Sequence, residues 1–158
     1  MDNLYRYERI IKKFEELYGD LENLKTNNDN LHTRVFYTDI KLFRNNHGFK
    51  LLSMELPVLE CQLDNGNYVL ATTNSLFSIY DNIKYEMKYS DFSKNDKKYF
   101  SKNGQIAEGK TRVFKYYLKD GNEFLYEIDS LYPADIVHNR LVLSMQFGKY
   151  DSPTAPSV

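Results

Sequence analysis

Tryptophan is absent from this chain, cysteine occurs once, and no apolar run approaches the length of a membrane span. A single cysteine, Cys61, excludes a disulfide framework and fits a reducing compartment. On an apolar strand, such a residue reads as small core packing; a catalytic thiol is the functional alternative. The N-terminus, MDNLYRYERIIKKFEEL, is charged throughout and lacks the apolar core of a signal peptide. A soluble cytoplasmic protein is therefore expected. Chemistry is also scarce. There is no G-x-S-x-G, phosphate loop or dinucleotide fingerprint. His32, His47 and His138 lie far apart in sequence, with no second ligand at zinc-like spacing, and read as surface or loop histidines. Asp39, Asp91 and Asp135 carry no signal that pairs them as acid and base. No catalytic residue, metal or cofactor is expected, and the chain reads as a non-enzyme.

Aromatic residues are plentiful: 14 Tyr and 10 Phe in 158 residues. A hydrophobic content of 42% is too high for a disordered chain, and the length suits one domain with an appended element. The net charge of −1 is unevenly spread. Residues 1–83 carry 9 Lys+Arg and 12 Asp+Glu, net −3; residues 84–119 carry 10 and 4, net +6; residues 120–158 carry 2 and 6, net −4.

Residues 2–25 predict an amphipathic helix. Leu4, Tyr7, Ile11, Phe14, Tyr18 and Leu21 recur at helical spacing, and Ile10, Leu17 and Leu24 widen the stripe. That face either packs on the chain's own sheet or serves dimerisation or a partner helix. After the polar break TNNDN, residues 34–43 read as a short strand or a short helix. Pro57 either starts the next strand or places it at an edge.

From residue 58, turn dipeptides recur at Asn65-Gly66, Asn74-Ser75, Asp81-Asn82 and Asp120-Gly121, with β-rich runs between them. Strands are expected near 58–64, 67–73, 76–80, 83–90, 111–119 and 122–129. Two-residue turns at the first two sites put Leu59, Cys61 and Leu63 on one face with Tyr68, Leu70, Thr72, Phe77 and Ile79. A two-residue turn at Asp81-Asn82 would add Lys84, Glu86 and Lys88 to that apolar face. A three-residue loop, Tyr80-Asp81-Asn82, avoids this. It sets Ile79 opposite Ile83 and Phe77 opposite Tyr85, with Asn82 at positive φ. The expected core from this face is Leu59, Cys61, Leu70, Phe77, Ile79, Tyr85 and Met87. In the last hairpin, the same logic pairs Val113 with Ile128 and Tyr117 with Phe124. Residues 93–110 read as a polar loop. Residues 131–148 predict a second helix, capped by Asp129 or Ser130 with Pro133 in its first turn; a strand over 140–147 is the alternative. DSPTAPSV reads as a flexible tail, giving three parts: helix 1–26, β domain 31–148 and tail 149–158.

The run Tyr68-Val69-Leu70-Ala71-Thr72-Thr73-Asn74, then Leu76 to Ile79, Ile83 to Tyr89 and Ser90-Asp91-Phe92, resembles bacterial PH-like and GRAM-type domains. Leu118 to Phe124 resembles their last hairpin. The resemblance covers about 58–146. It implies an α+β fold: an antiparallel meander forming a PH-like barrel or strongly bent sheet, closed by a C-terminal helix. It also implies a seventh strand, from 34–55 or the 93–110 loop. The family brings no transferable active site. Its members bind lipids, peptides or proteins.

The main functional expectation is an adaptor module for a protein or peptide. A second is an anionic lipid or nucleic-acid binder. Lys84, Lys88, Lys94, Lys97, Lys98 and Lys102, with Tyr99 among them, are the candidate binding residues, because clustered lysines beside aromatics suit phosphates. A solvated strand and loop is the plain alternative. A third expectation, from small size and absent chemistry, is an immunity or inhibitor protein of a bacterial or phage conflict system.

Overall fold

The computed structural model describes residues 3–37, 40–97, 109–146, 148 and 150. The first element is α1 (Asn3–Tyr18), which buries Tyr7, Ile10, Ile11 and Phe14. The helix stops seven residues short of its expected end at 25 because Gly19 takes φ 75° and its N–H caps Glu15 O at 3.1 Å. Leu21 and Leu24 stay buried without being helical. Tyr7, Ile10, Ile11 and Phe14 of α1 lie in the chain's own core while Leu4 and Leu17 stay exposed, so most of the stripe expected to make a homodimer is used within the chain.

Among the described residues eight strands follow, in two antiparallel sheets. β1 (Thr33–Val35), β2 (Pro57–Gln62), β3 (Tyr68–Thr72), β4 (Ser75–Tyr80) and β5 (Ile83–Lys88) form one sheet in chain order. β6 (Phe92–Asn95), β7 (Thr111–Leu118) and β8 (Glu123–Asp129) form the other. The sheets pack face to face, with β8 against β3, β4 and β5, and among the described residues they do not close into a barrel. β1 comes from the ambiguous 34–43 region, which ends in a 3-10 turn at Ile40–Leu42. β6 occupies the start of the segment expected as loop. Pro57 opens β2, next to a bulge between Pro57 and Leu59.

Residues 132–145 are helical, so the strand alternative for 140–147 is wrong over the described residues. The segment runs as an α turn (Tyr132–Asp135), a π-helical stretch (Ile136–Val142) and a second α turn (Leu143–Met145). Pro133 sits in its first turn as expected. Leu131 precedes it at φ 65°, and neither Asp129 nor Ser130 caps it. Ile136, Val137, Leu141, Val142 and Met145 are buried against the inter-sheet core. Tyr150, at the start of the expected tail, is buried in the core rather than flexible, and residues 149 and 151–158 lie outside the described residues.

The turns correct the expected register. Leu63-Asp64-Asn65-Gly66-Asn67 is a three-residue loop: Gly66 N–H donates to Leu63 O, Leu63 N–H to Asn67 O, and Gly66 takes φ 93°. Leu118-Lys119-Asp120-Gly121-Asn122 repeats it bond for bond, with Gly121 at φ 88°. In both loops the Asn or Asp side chain accepts from the N–H two residues on, at 3.0 and 2.8 Å. Such a loop slips the partner strand by one residue. Cys61 therefore pairs with Val69 and Leu59 with Ala71, while Tyr116 pairs with Phe124 and Phe114 with Tyr126.

Asp81-Asn82 errs in the opposite direction. It is a two-residue turn with both residues at positive φ, 52° and 65°, so Tyr80 pairs with Ile83 and Phe77 with Glu86. Asn82 has the expected positive φ, but in a different loop. The β3–β4 turn is Thr73-Asn74, held by the Thr72 hydroxyl, and Leu70 pairs with Phe77.

The expected core residues consequently divide between two faces. Leu59, Cys61, Val69, Ala71, Leu76 and Met87 face the second sheet. Tyr68, Leu70 and Phe77 face outward and are roofed by Phe43, Phe49 and Leu51 from the irregular 43–56 segment. Ile79 and Tyr85 are only half-buried.

Candidate binding edge

The sequence candidates divide between the two sheets. Lys84 and Lys88 point to the outer face of β5, on either side of Glu86. Lys84 Nζ donates to His47 O at 2.6 Å and lies 5.4 Å from the Phe49 ring. Its stem thus covers apolar surface while its charge stays wet. This is how the sheet tolerates a lysine beside Phe77 and Ile79, which the expected register was chosen to avoid. Lys94 belongs to β6. It stacks on Tyr117 at 5.4 Å, with Lys115 at 5.6 Å from the same ring. Lys97 follows β6, and Lys98, Tyr99 and Lys102 lie outside the described residues.

β5 ends the five-stranded sheet, and among the described residues nothing pairs with its outer side. Hydrogen-bond parity along it is fixed by its neighbour. Tyr89 N–H donates to Asn74 O at 3.2 Å, in the same register as the β4–β5 ladder, so the odd residues bond inward. The main-chain groups of Lys84, Glu86 and Lys88 therefore point away from β4. Lys88 N–H is taken by Asp91 Oδ2 at 3.3 Å. Among the described residues, nothing takes the outward N–H and C=O groups of Lys84 and Glu86. Clefts flank the strand. One of about 220 Å³ includes Lys50, Leu52, Glu55, Phe77 and Lys88. One of about 540 Å³ separates β5 from the β7–β8 turn at Asp120, Gly121 and Asn122. Glu86 and Asp91 line both. Composition singled out lysines here; Glu86 and the unpaired main chain carried no sequence signal.

The other polar clusters are internal fastenings. Asp129 is fully buried at the end of β8. It accepts from His32 N–H at 2.7 Å, Asn28 Nδ2 at 2.8 Å and Thr33 Oγ1 at 2.8 Å, with Cys61 Sγ at 3.8 Å. Burial, then the Asp129 charge, pushes the Cys61 thiol up to about 12, which opposes a thiolate at neutral pH. Burial alone would lower His32, but Asp64 and Asp129 outweigh it and hold its pKa above the ordinary value. His138 is not the surface histidine expected. It stacks 4.9 Å from Phe114, and its Nδ1 lies 2.8 Å from the Tyr116 hydroxyl, which in turn meets Tyr126 at 2.6 Å. Burial, then Arg112, lowers it to about 4, leaving it neutral at physiological pH. Asp135 accepts from Tyr18, and Asp91 caps the turn after β5; Asp39 lies outside the described residues. Among the described residues, no group of three or more His, Cys, Asp or Glu could hold a metal, and no helix is long and apolar enough to cross a membrane.

Compared with known proteins, the chain matches no family model, no curated protein and no solved structure.

Proposed function

We propose that this chain is a non-enzymatic binding module that recognises a protein partner by adding an extended segment to β5. One observation carries the reading: the free main-chain edge at Lys84 and Glu86, flanked by clefts on both sides. Strand addition draws affinity from the main chain and specificity from side chains seated alternately in flanking clefts. A PH-like relationship agrees with this reading, since a meander, a second sheet and a C-terminal helix occur here in the order that family has. A buried thiol with a raised pKa, a His138 kept neutral among aromatic rings and an Asp129 filled by donors from within the fold favour a binding role over a catalytic one.

The anionic-surface reading draws less support: Glu86 lies between Lys84 and Lys88, and Lys94 sits in the other sheet.

The test is selection of displayed extended peptides, followed by amide exchange on the complex. Binders should protect the Lys84 and Glu86 amides. Glu86→Pro removes an outward N–H that an edge strand does not use, so the fold should survive and binding should be lost. Binders that protect other strands, or that tolerate Glu86→Pro, overturn the reading.

A further inference from the structure

The side chains of the free edge select a partner. Along β5 the outward-bonding residues read Lys84, Glu86, Lys88, positive, negative, positive, on one face. We propose that β5 pairs antiparallel with β5 of a second copy, about a two-fold axis at Tyr85. This rests on the reading of β5 as the docking edge and names its occupant.

Register follows from charge and hydrogen-bond parity. With Tyr85 opposite Tyr85, Lys84 of each copy lies opposite Glu86 of the other. Both residues present their main-chain groups outward, so they form a hydrogen-bonded pair and exchange both N–H···O bonds. The same pairing sets opposite charges side by side, twice by symmetry. Ile83, 54% exposed, comes opposite Met87 of the other copy. The neighbouring registers fail. Shifting the axis to Glu86 sets Glu86 against Glu86 and Lys84 against Lys88. Shifting it to Met87 requires the Lys88 N–H, which Asp91 already occupies. An edge bearing charges of one sign would repel its own copy. This edge alternates and repels itself in every antiparallel register but one that its free main chain allows. The pairing joins two five-stranded sheets into one continuous sheet.

The test is sedimentation equilibrium of the full chain over a wide concentration range. The wild-type mass should rise from 18.7 kDa toward twice that value with concentration. Lys84→Glu and Glu86→Lys should each raise the dissociation constant about tenfold or more, because each places like charges opposite one another at both symmetric contacts. The double variant Lys84→Glu/Glu86→Lys reverses every pair and should restore association. Circular dichroism confirms that each variant is folded. A chain that stays monomeric throughout, or a double variant as impaired as the singles, overturns self-pairing. If selected peptides still protect Lys84 and Glu86 in a monomeric chain, only the self-pairing falls. If they protect other strands, the docking edge falls with it.

Discussion

Removing the charge of Asp129 while keeping its shape tests how this fold is fastened. Asp129 ends β8 beneath the crossing of the 26–32 segment and β2, and everything around it donates: a main-chain N–H, an amide, a hydroxyl and a thiol. In Asp129→Asn one oxygen becomes an NH₂ group that must face a donor. Hydrogen bonds to a charged acceptor contribute about 1.5–3 kcal/mol each, and an orphaned buried donor costs about 1–3 kcal/mol. Against this, the substitution relieves the desolvation of a carboxylate, worth several kcal/mol. The balance resembles the breaking of a buried charged pair, about 3–5 kcal/mol. Asp129→Ala should cost at least as much, with a small cavity added. Urea unfolding followed by circular dichroism gives the number, and tyrosine emission gives a second probe in a chain without tryptophan. In a double-mutant cycle, Thr33→Val should cost much less in the Asp129→Asn background than in the wild type. An Asp129→Asn variant within about 1 kcal/mol of wild type, with additive Thr33→Val, would refute the account of Asp129 as the fastening.

Three further outcomes follow from the geometry. His138 has a folded pKa of about 4 against an ordinary 6.5, so the unfolded chain binds the extra proton between those values. Stability should therefore fall as pH drops from 6.5 to 4, by up to about 3 kcal/mol; His138→Phe should flatten that limb, while His32, raised by its carboxylates, supplies stability below 6.5 that is lost as pH rises through its folded pKa. Phe77→Ala should cost about 3 kcal/mol, at the low end for a buried phenylalanine, because the outer cluster under the 43–56 segment is small; an unchanged midpoint in urea would show that roof to be loose. A thiol reagent should reach Cys61 only on denaturation, and rapid labelling of the native protein at neutral pH would contradict its burial.

Strand existence was largely legible; strand register was not. Six strands and both helices announced themselves through β-branched and aromatic runs, helical spacing and turn dipeptides. β1 and β6 did not. β1 is only three residues long, and β6, Phe92-Ser93-Lys94-Asn95, buries one side chain fully. Register failed because side-chain alternation checks it only when one face of a sheet is wet. All five residues of β3 are buried, so slipping by one residue looked harmless. The cover on the outer face, Phe43, Phe49 and Leu51, comes from a segment without regular structure, where periodicity has nothing to show. The sequence did hold a discriminating signal. Leu-x-(Asn or Asp)-Gly-Asn occurs at both three-residue loops, and Asn67 and Asn122 receive the Asx hydrogen bond that such a loop forms.

The turn at Asp81-Asn82 also decides what the free edge offers. A three-residue loop would place Phe77 opposite Tyr85, turning the odd residues of β5 to the roofed face and its charges toward the second sheet. The observed two-residue turn does the reverse. It sends Tyr85 and Met87 inward and sets Lys84, Glu86 and Lys88 on the outer face, where Lys84 is braced over Phe49 by His47 O. A partner strand therefore meets its charges on the open face of the sheet rather than against the core. Composition located the lysines of this edge correctly. What it could not locate is the glutamate between them and the main chain beneath, because both act only through direction. Direction here depends on whether Asp81 and Asn82 accept positive φ together, and their short polar side chains allow it.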